Sequence, residues 1–543
     1  MIKTLHKYIG MELARVTGMA LVAFTLVLTV FAIIEPLRKE GLSGSQVLTL
    51  FVFTLPMMMS LTLPIAALFA ASIIYGRFSQ DNELLASRAS GISTLTLLTP
   101  AIALGIIVTV ASWLLNNNVT PVMAKRASTA VKANVRGIAY RKLAARNYIS
   151  ADYRIIHADR VVKDRDMIQG VVVIDRRSKG DKNVTLFAAQ VAWARFDTDE
   201  QAGETYATFN FLNPVLTESN SPNIRHEYTG PIDSVRIPGA MREKPSWYSW
   251  DELRATLDDP IRSGLIRRSL TKIQRSVFHN IFSRHVADVM RENGKYDQLR
   301  RGNERYVIQA GRVRAAGSGT IVLRNLGRHK TRRPVIVTVL RDGRPVQSVT
   351  ADAGKIYAKW SPSAQASQVS IVLNKDVVVH DPQNPERKGQ TRREWARGQI
   401  RLPKAVRQAI KGITLQQVYS NVKELTDSPG IDRELEKLKN LEVVTQNNNI
   451  IAEIHGRIAY STSCVLLVSL GAAMGLVFRG GQIISAFATS IVPAAAVIVM
   501  IIMGKKMVEN PDAPVFPGLV AIWSGLVVLA VVTACVFAYL ARK

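Results

Sequence analysis

Six charge-free apolar runs, three toward each end of the chain, constrain this sequence more than any other feature. They are Val16–Ile34, Val47–Tyr75, Leu95–Leu115, Ile458–Phe478, Ile483–Met503 and Pro517–Leu540. Each reaches the length of about 20 residues with which a helix crosses a bilayer. A charge at the centre of such a helix costs roughly 2.5–3.5 kcal/mol on insertion scales. Six runs that avoid charge altogether therefore read as spans, not as core helices of a large soluble protein. The second run exceeds a straight span and carries Pro56 and Pro64, which predicts a kinked or tilted helix whose freed carbonyls neighbouring helices satisfy.

The spans divide three and three around residues 117–455. An odd number on each side puts this insert on the face opposite both termini. Lys3, Lys7, Arg15, Arg77, Arg88, Arg479, Arg542 and Lys543 flank the spans on the side of the termini and favour cytoplasmic termini; Arg38, Lys39, Lys505 and Lys506 oppose this. The balance favours an external insert.

The chain has 543 residues, with 70 Lys+Arg against 42 Asp+Glu and a formal net charge of +28. The cations are scattered rather than interleaved with aromatic stacking positions, so anionic lipid headgroups suit them better than nucleic acid. Cys464 and Cys535 both fall inside apolar runs, which gives neither a disulfide framework nor a metal-ligand spacing. The first run is long enough to span and no small-residue cleavage pattern follows it. There is no G-x-x-x-x-G-K-[ST] loop and no G-x-S-x-G elbow, and His279 and His285 are not part of an H-E-x-x-H. No cofactor and no enzymatic centre are expected.

Within the insert, Tyr148–Pro238 alternates in short β-like runs, with turns such as Ser178–Asp181 between them, and suggests a β-sandwich or jelly roll. Ser249 and Glu252 then form a capping box that opens a helical region. Ile273, Val277 and Ile281, with Phe278, Phe282 and Val286, mark its apolar face; Arg267, Arg268, Lys272, Arg275 and Arg284 mark the other. The β-like pattern recurs: Ile156–Val161 resembles Ile308–Val313, Val191–Ala194 echoes Ile356–Trp360, and a second capping box, Thr414 with Gln417, follows. These echoes suggest a duplicated β unit.

A polar island, Gly76–Gly91, separates the second and third runs and reads as a short helix. Asp81 is its expected N-cap and Glu83 suits the positive end of the helix dipole. Arg88 suits the negative end and Gly91 supplies the stop. Leu84, Leu85 and Ala89 leave an apolar edge for a membrane surface or a partner's groove. From this stretch alone, an ordinary interfacial helix is the favoured reading.

The sequence resembles the lipopolysaccharide transport permease family of the LptF/LptG type. Leu63-Pro64-Ile65-Ala66 through Gly76-Arg77-Phe78-Ser79, Asp81-Asn82-Glu83-Leu84 and Arg88–Ser93 resembles its most distinctive stretch. Leu115-Asn116 with Pro121 after the third span, Glu453, His455 and Arg457 before the fourth, and Gly475–Gly481 after it also match. The insert is about twice as long as the single jelly roll of the family. The resemblance implies a six-span, 3+3 membrane fold with a large inserted periplasmic β-jelly-roll-type domain plus helical segments, in a bacterial inner membrane. It implies an ABC transporter permease subunit that extracts lipopolysaccharide or a related anionic glycolipid. A cytoplasmic ABC ATPase dimer, a second permease subunit (same or related chain) and a periplasmic bridge protein are the implied partners. Arg77, Asp81, Asn82, Glu83, Leu84 and Arg88 become the ATPase-coupling residues, and Arg38 and Lys39, beyond the first span, a substrate contact. A lipoprotein-extracting or efflux-type ABC permease, and a non-transporting membrane-anchored envelope lipid-binding protein, are the rival readings.

The expected division follows. Residues 1–116 hold spans one to three, with the coupling helix at about 79–91. Residues 117–246 form a periplasmic jelly-roll-like domain, 247–304 a helical region and 305–400 a second β-rich, jelly-roll-like region. Residues 401–455 are a helical connector and 456–543 the last three spans.

Overall fold

The computed structural model describes residues 2–40, 44–132, 135–146, 148–151, 154–162, 166–176, 184–199, 204–212, 215–218, 221–226, 235–237, 243–316, 319–325, 334–361, 366–383, 386, 389–478 and 483–542. The expected turn at 178–181 and the 479–481 part of the Gly475–Gly481 match lie outside them.

The first half begins with α1 (Ile2–Glu40), α2 (Gly44–Gln80), the short α3 (Glu83–Ala89) and α4 (Thr94–Leu114); α5 (Thr120–Lys132) and α6 (Val135–Arg146) lead into the insert. The insert ends in α9 (Lys404–Ile410), α10 (Leu415–Leu425) and α11 (Pro429–Lys437), preceded by α7 (Trp250–Asp258) and α8 (Gly264–Asn293). The second membrane half is α12 (Val444–Val477), α13 (Ile483–Glu509) and α14 (Val515–Arg542). Six helices are long and apolar enough to cross a membrane. One buried cluster joins Ile9 of α1, Phe78 of α2, Ile92, Leu97 of α4, Leu476 of α12 and Leu540 of α14. Both ends of the chain therefore gather on the face that carries α3, and the insert departs from the other. Close approach of α2 and α12 requires glycine: a Cβ on Gly475 would lie 2.8 Å from the Ser72 carbonyl oxygen. Near Pro64, Tyr460 of α12 donates to the Leu61 carbonyl at 2.7 Å, the kind of rescue expected where a proline interrupts a membrane helix.

The helices run past the hydropathic boundaries. The third membrane helix continues past the apolar run: a π-helical turn, Leu115–Val119, passes directly into α5. The fourth is approached in the same way, α11 continuing through a π-helical Leu438–Val443 into α12. Hydropathy marks the lipid layer, whereas the backbone ladder stops only where caps or prolines stop it.

The insert contains two different β units. The first comprises β1 (Tyr148–Ala151), β2 (Arg154–Val162), β3 (Met167–Arg176), β4 (Val184–Asp199), β5 (Glu204–Leu212), β6 (Val215–Glu218), β7 (Ser221–His226) and β8 (Val235–Ile237). Strands β1 to β5 pair in sequence as an antiparallel meander, β8 adds to β5, and β6 with β7 extends the free half of the long β4. Ala139, Tyr140 and Leu143 of α6 pack against Ile156, Ile168, Val173 and Phe209 of this sheet.

The second unit comprises β9 (Lys295–Arg301), β10 (Glu304–Gln309), β11 (Arg312–Ala316), β12 (Thr320–Arg324), β13 (Val335–Arg341), β14 (Arg344–Ala351), β15 (Ala353–Ser361), β16 (Ala366–His380) and β17 (Gln390–Arg401). Because β16 is long, its first half pairs β15 and its second half β14, while β17 lies along both and reaches β9 through Arg401 and Arg300. Strands β16, β14, β13, β10, β9 and β17 thereby close a barrel-like ring. Its strands begin at Lys295, ten residues before the expected boundary, because Gly294 in the left-handed conformation (φ 65°) ends α8.

Helix α8 serves two cores. Ile266, Leu270, Ile273 and Val277 pack on Val418, Ile431 and Leu435 of α10 and α11, and Phe282, Val286 and Met290 enter the ring. Arg275, expected on the polar face, is buried with its guanidinium 3.9 Å from the Trp360 ring centre. The two β units are not copies. Ile156–Val161 lies within the single strand β2, whereas Ile308–Val313 spans two strands with different partners, β10 and β11. The echo reflects the alternation common to half-buried strands.

Candidate functional site

The α3 segment is fixed from both sides and exposes its charges. Helix α2 persists through Gln80, and the Asp81 amide still bonds to the Arg77 carbonyl at 2.9 Å. Asp81 is therefore not the N-cap. That position falls to Asn82, left-handed at φ 56° and without a side-chain cap bond, which turns the chain into α3. At the other end Gly91 (φ 81°) closes a Schellman arrangement, its amide bonding to Arg88 O and the Ile92 amide to Ser87 O. Phe78 and Ile92 are buried on either side, and Tyr75 donates to the Leu97 carbonyl at 2.7 Å.

Arg77, Asp81, Asn82 and Glu83 are exposed, and none has a side-chain hydrogen bond or ion pair among the described residues. Arg88 differs: its Nε donates to Thr94 Oγ1 at 2.9 Å and ties α3 to α4. The side chain of Leu84 lies outside the described residues, as do those of Arg38 and Lys39, which sit in the last turn of α1 on the insert face.

A second charged constellation occupies the insert end of the bundle, and here the charges are buried. Glu453 and Arg457 on α12 are 8% and 5% exposed. Arg457 Nε donates to Glu453 Oε1 at 2.8 Å, the i, i+4 spacing placing both on one helix face. The other carboxylate oxygen accepts from Lys505 of α13 at 2.6 Å. Arg457 also donates to Asn117 Oδ1, in the π-helical turn of the third span, and to the Ser246 carbonyl of the insert, each at 3.0 Å. Beside it, the Trp113 and Trp250 rings lie 4.9 Å apart, and Trp523 donates to His455 Nδ1 at 3.3 Å. Four parts of the chain thus meet on one guanidinium and one carboxylate: the third span, the fourth, the fifth and the insert.

The family model described as lipopolysaccharide export system permease LptF/LptG matches residues 7–284 and 273–540. The chain belongs to this family. A search of curated proteins found no match. Family membership makes the chain a multi-pass membrane protein and a transporter component rather than an enzyme. It also gives the joint context, because Glu453, His455 and Arg457 matched the family on sequence without an assigned role.

Sequence reasoning missed the joint as a site. Lys505 looked like a topological signal only, and position 117 counted merely as the first residue of the insert. The available signal was the i, i+4 acid–base pair at the edge of an apolar run, where an unpaired charge is too costly to be casual.

Proposed function

We propose that this permease is the membrane subunit of an ABC transporter that extracts lipopolysaccharide, or a related anionic glycolipid, from a bacterial inner membrane. The family match across both membrane halves carries the reading. In it, α3 and both termini lie in the cytoplasm and the insert in the periplasm. An ATPase dimer docks on α3 through Arg77, Asp81, Asn82, Glu83 and Leu84. The support is physical: Arg77, Asp81 and Glu83 are exposed charges without partners among the described residues, which cost nothing in water and suit a complementary partner. A second permease subunit completes the cavity, and the meander unit, taken as the family's jelly roll, passes lipid to a periplasmic bridge. Arg38 and Lys39 attract the substrate's phosphates where the lipid enters, long side chains keeping charge at the interface.

The test is purification of the tagged chain from native membranes, followed by reconstitution in proteoliposomes. We expect an ATPase subunit to copurify and glycolipid to be released on ATP addition. A chain that purifies intact without an ATPase, and releases no lipid when one is supplied, is no such permease. Within this reading, the Arg38→Ala, Lys39→Ala double variant is expected to insert normally and crosslink less glycolipid. Unchanged crosslinking leaves the two residues as interfacial anchors alone.

A further inference from the structure

A cavity of about 460 Å³ lies where α5 meets the start of α7 and α8, on the insert side of the bundle and away from the α3 face. Its lining includes Lys125, Ser128, Trp247, Tyr248, Arg262 and Arg267. Two carboxylates line it as well. Glu252 is engaged by Lys125 and by the capping box of α7. Glu243 is exposed and lies against Gly264, the first residue of α8, where any Cβ would collide with its carboxylate.

Three features here call for an anion. The amide end of the thirty-residue α8 opens on the cavity; the Tyr248 hydroxyl engages its first amide, Gly264, and its N-cap, Ser263, makes no side-chain cap bond. Such a helix end concentrates unpaired N–H groups and the positive end of the dipole. Ser128 lines the cavity, is only 4% exposed, and its hydroxyl has no hydrogen-bond partner, although such a group normally finds one. Arg267 has no side-chain partner among the described residues. Glu243 is then an internal anion in the same seat, on a chain exposed enough to leave it.

We propose that this cavity binds a phosphate-bearing group, held by the first-turn amides of α8, Arg267 and Ser128, with the Glu243 carboxylate as its stand-in when empty. A tetrahedral dianion matches this set: a guanidinium fork, a hydroxyl donor and converging N–H groups. The phosphate chemistry stands on the cavity itself. Only a lipid as its bearer rests on the transport reading.

The test uses the purified full-length protein in detergent, with thermal unfolding followed as inorganic phosphate is titrated against chloride. We expect phosphate to raise Tm, as any ligand selective for the folded state does. Arg267→Ala and Ser128→Ala are expected to need roughly tenfold more phosphate, the loss typical of one charge-assisted hydrogen bond. Ser128→Ala removes only an unbonded buried hydroxyl, so its folding is secure. Glu243→Gln is expected to need severalfold less phosphate, a gain that a merely structural role does not produce. No shift with phosphate, or equal midpoints in wild type and all three variants, overturns the site. Competition by a phosphorylated glycolipid in mixed micelles, and not by its dephosphorylated form, assigns the phosphate to a lipid headgroup. A response to free phosphate alone assigns it to a soluble anion; both outcomes keep the site. Phosphate binding that persists in a chain without ATP-driven lipid release counts against the transport reading and not against the cavity.

Discussion

The two ends of the membrane bundle hold charge in opposite ways. Around α3, Arg77, Asp81 and Glu83 are exposed and unbonded among the described residues. At the insert end, Glu453 accepts from two cations while Arg457 spreads its donors over Glu453, Asn117 and the Ser246 carbonyl. The physical cause is the surroundings. Water solvates the first set at no cost, whereas a buried ion unpaired in a low dielectric costs several kcal/mol. The second set must be complete within the chain. The first is free to be completed from outside, which makes one end a joint and leaves the other open to a partner.

The strongest way to break this contrast is to remove the shared carboxylate. Glu453→Gln leaves Arg457 and Lys505 facing each other without a counter-ion, and stability is expected to fall by about 3–5 kcal/mol. The same change at the exposed Glu83 is expected to cost less than about 0.5 kcal/mol. Thermal unfolding of both variants in one detergent checks this. Equal losses would show that the joint is no more essential than the surface.

A half-buried histidine sharpens the rule, because His279 has no counter-ion among the described residues. It sits on α8, its Nε2 2.9 Å from Ser367 Oγ of β16. Burial, with the Arg275 guanidinium nearby, holds it down to about 4. The sign follows from which state takes the proton first. As pH falls below about 6.5 the unfolded chain protonates while the folded one does not, so stability present above that pH is lost as pH approaches 4. The loss is on the order of 3 kcal/mol, and His279→Gln is expected to flatten that limb of the unfolding curve. An unchanged pH profile in the variant would put the acid sensitivity elsewhere.

How much of this was legible depended on whether the signal was local. The six spans were, since lipid exposure excludes charge residue by residue. So were both capping boxes, Ser249 with Glu252 and Thr414 with Gln417, whose partners are three residues apart. The span ends were not, because Thr120–Lys132 stays helical after leaving the apolar run. Ring closure was invisible too: nothing near Arg401 announces Arg300 as its neighbour. At the candidate sites, Glu83 was legible as an exposed charge. Asp81 was misread as the cap, because α2 continues one turn further than its hydropathy and fixes the cap at Asn82. The joint depends on Asn117 and Arg457, 340 residues apart, and no periodicity reports that.

A smaller effect is expected from the turn that seats α3. Gly91 has φ 81° with open space around its Cβ position, so Gly91→Ala meets no steric clash, only the conformational cost of about 1 kcal/mol. Hydrogen exchange of the α3 amides is expected to speed up while the rest of α2 and α4 stays protected. Uniform acceleration across both helices would mean that α3 is not a separately seated element.

The smallest effect on the folded chain is expected from Glu83→Lys, and for that reason it discriminates best. Glu83 stands in the first turn of α3, exposed and unbonded, so reversing its charge loses only a helix-dipole contribution of about 0.3–1 kcal/mol. Tm should hardly move. If α3 is the docking surface, the reversed charge instead meets a partner shaped for a carboxylate. A charge misplaced at a protein interface can cost several kcal/mol, enough to remove the ATPase from the purified complex. The diagnostic result is therefore a divergence: unchanged unfolding with lost association. Unchanged unfolding with unchanged association and transport removes Glu83 from the interface. A large loss of stability means instead that the free charge at this end was structural, and the contrast with the joint dissolves.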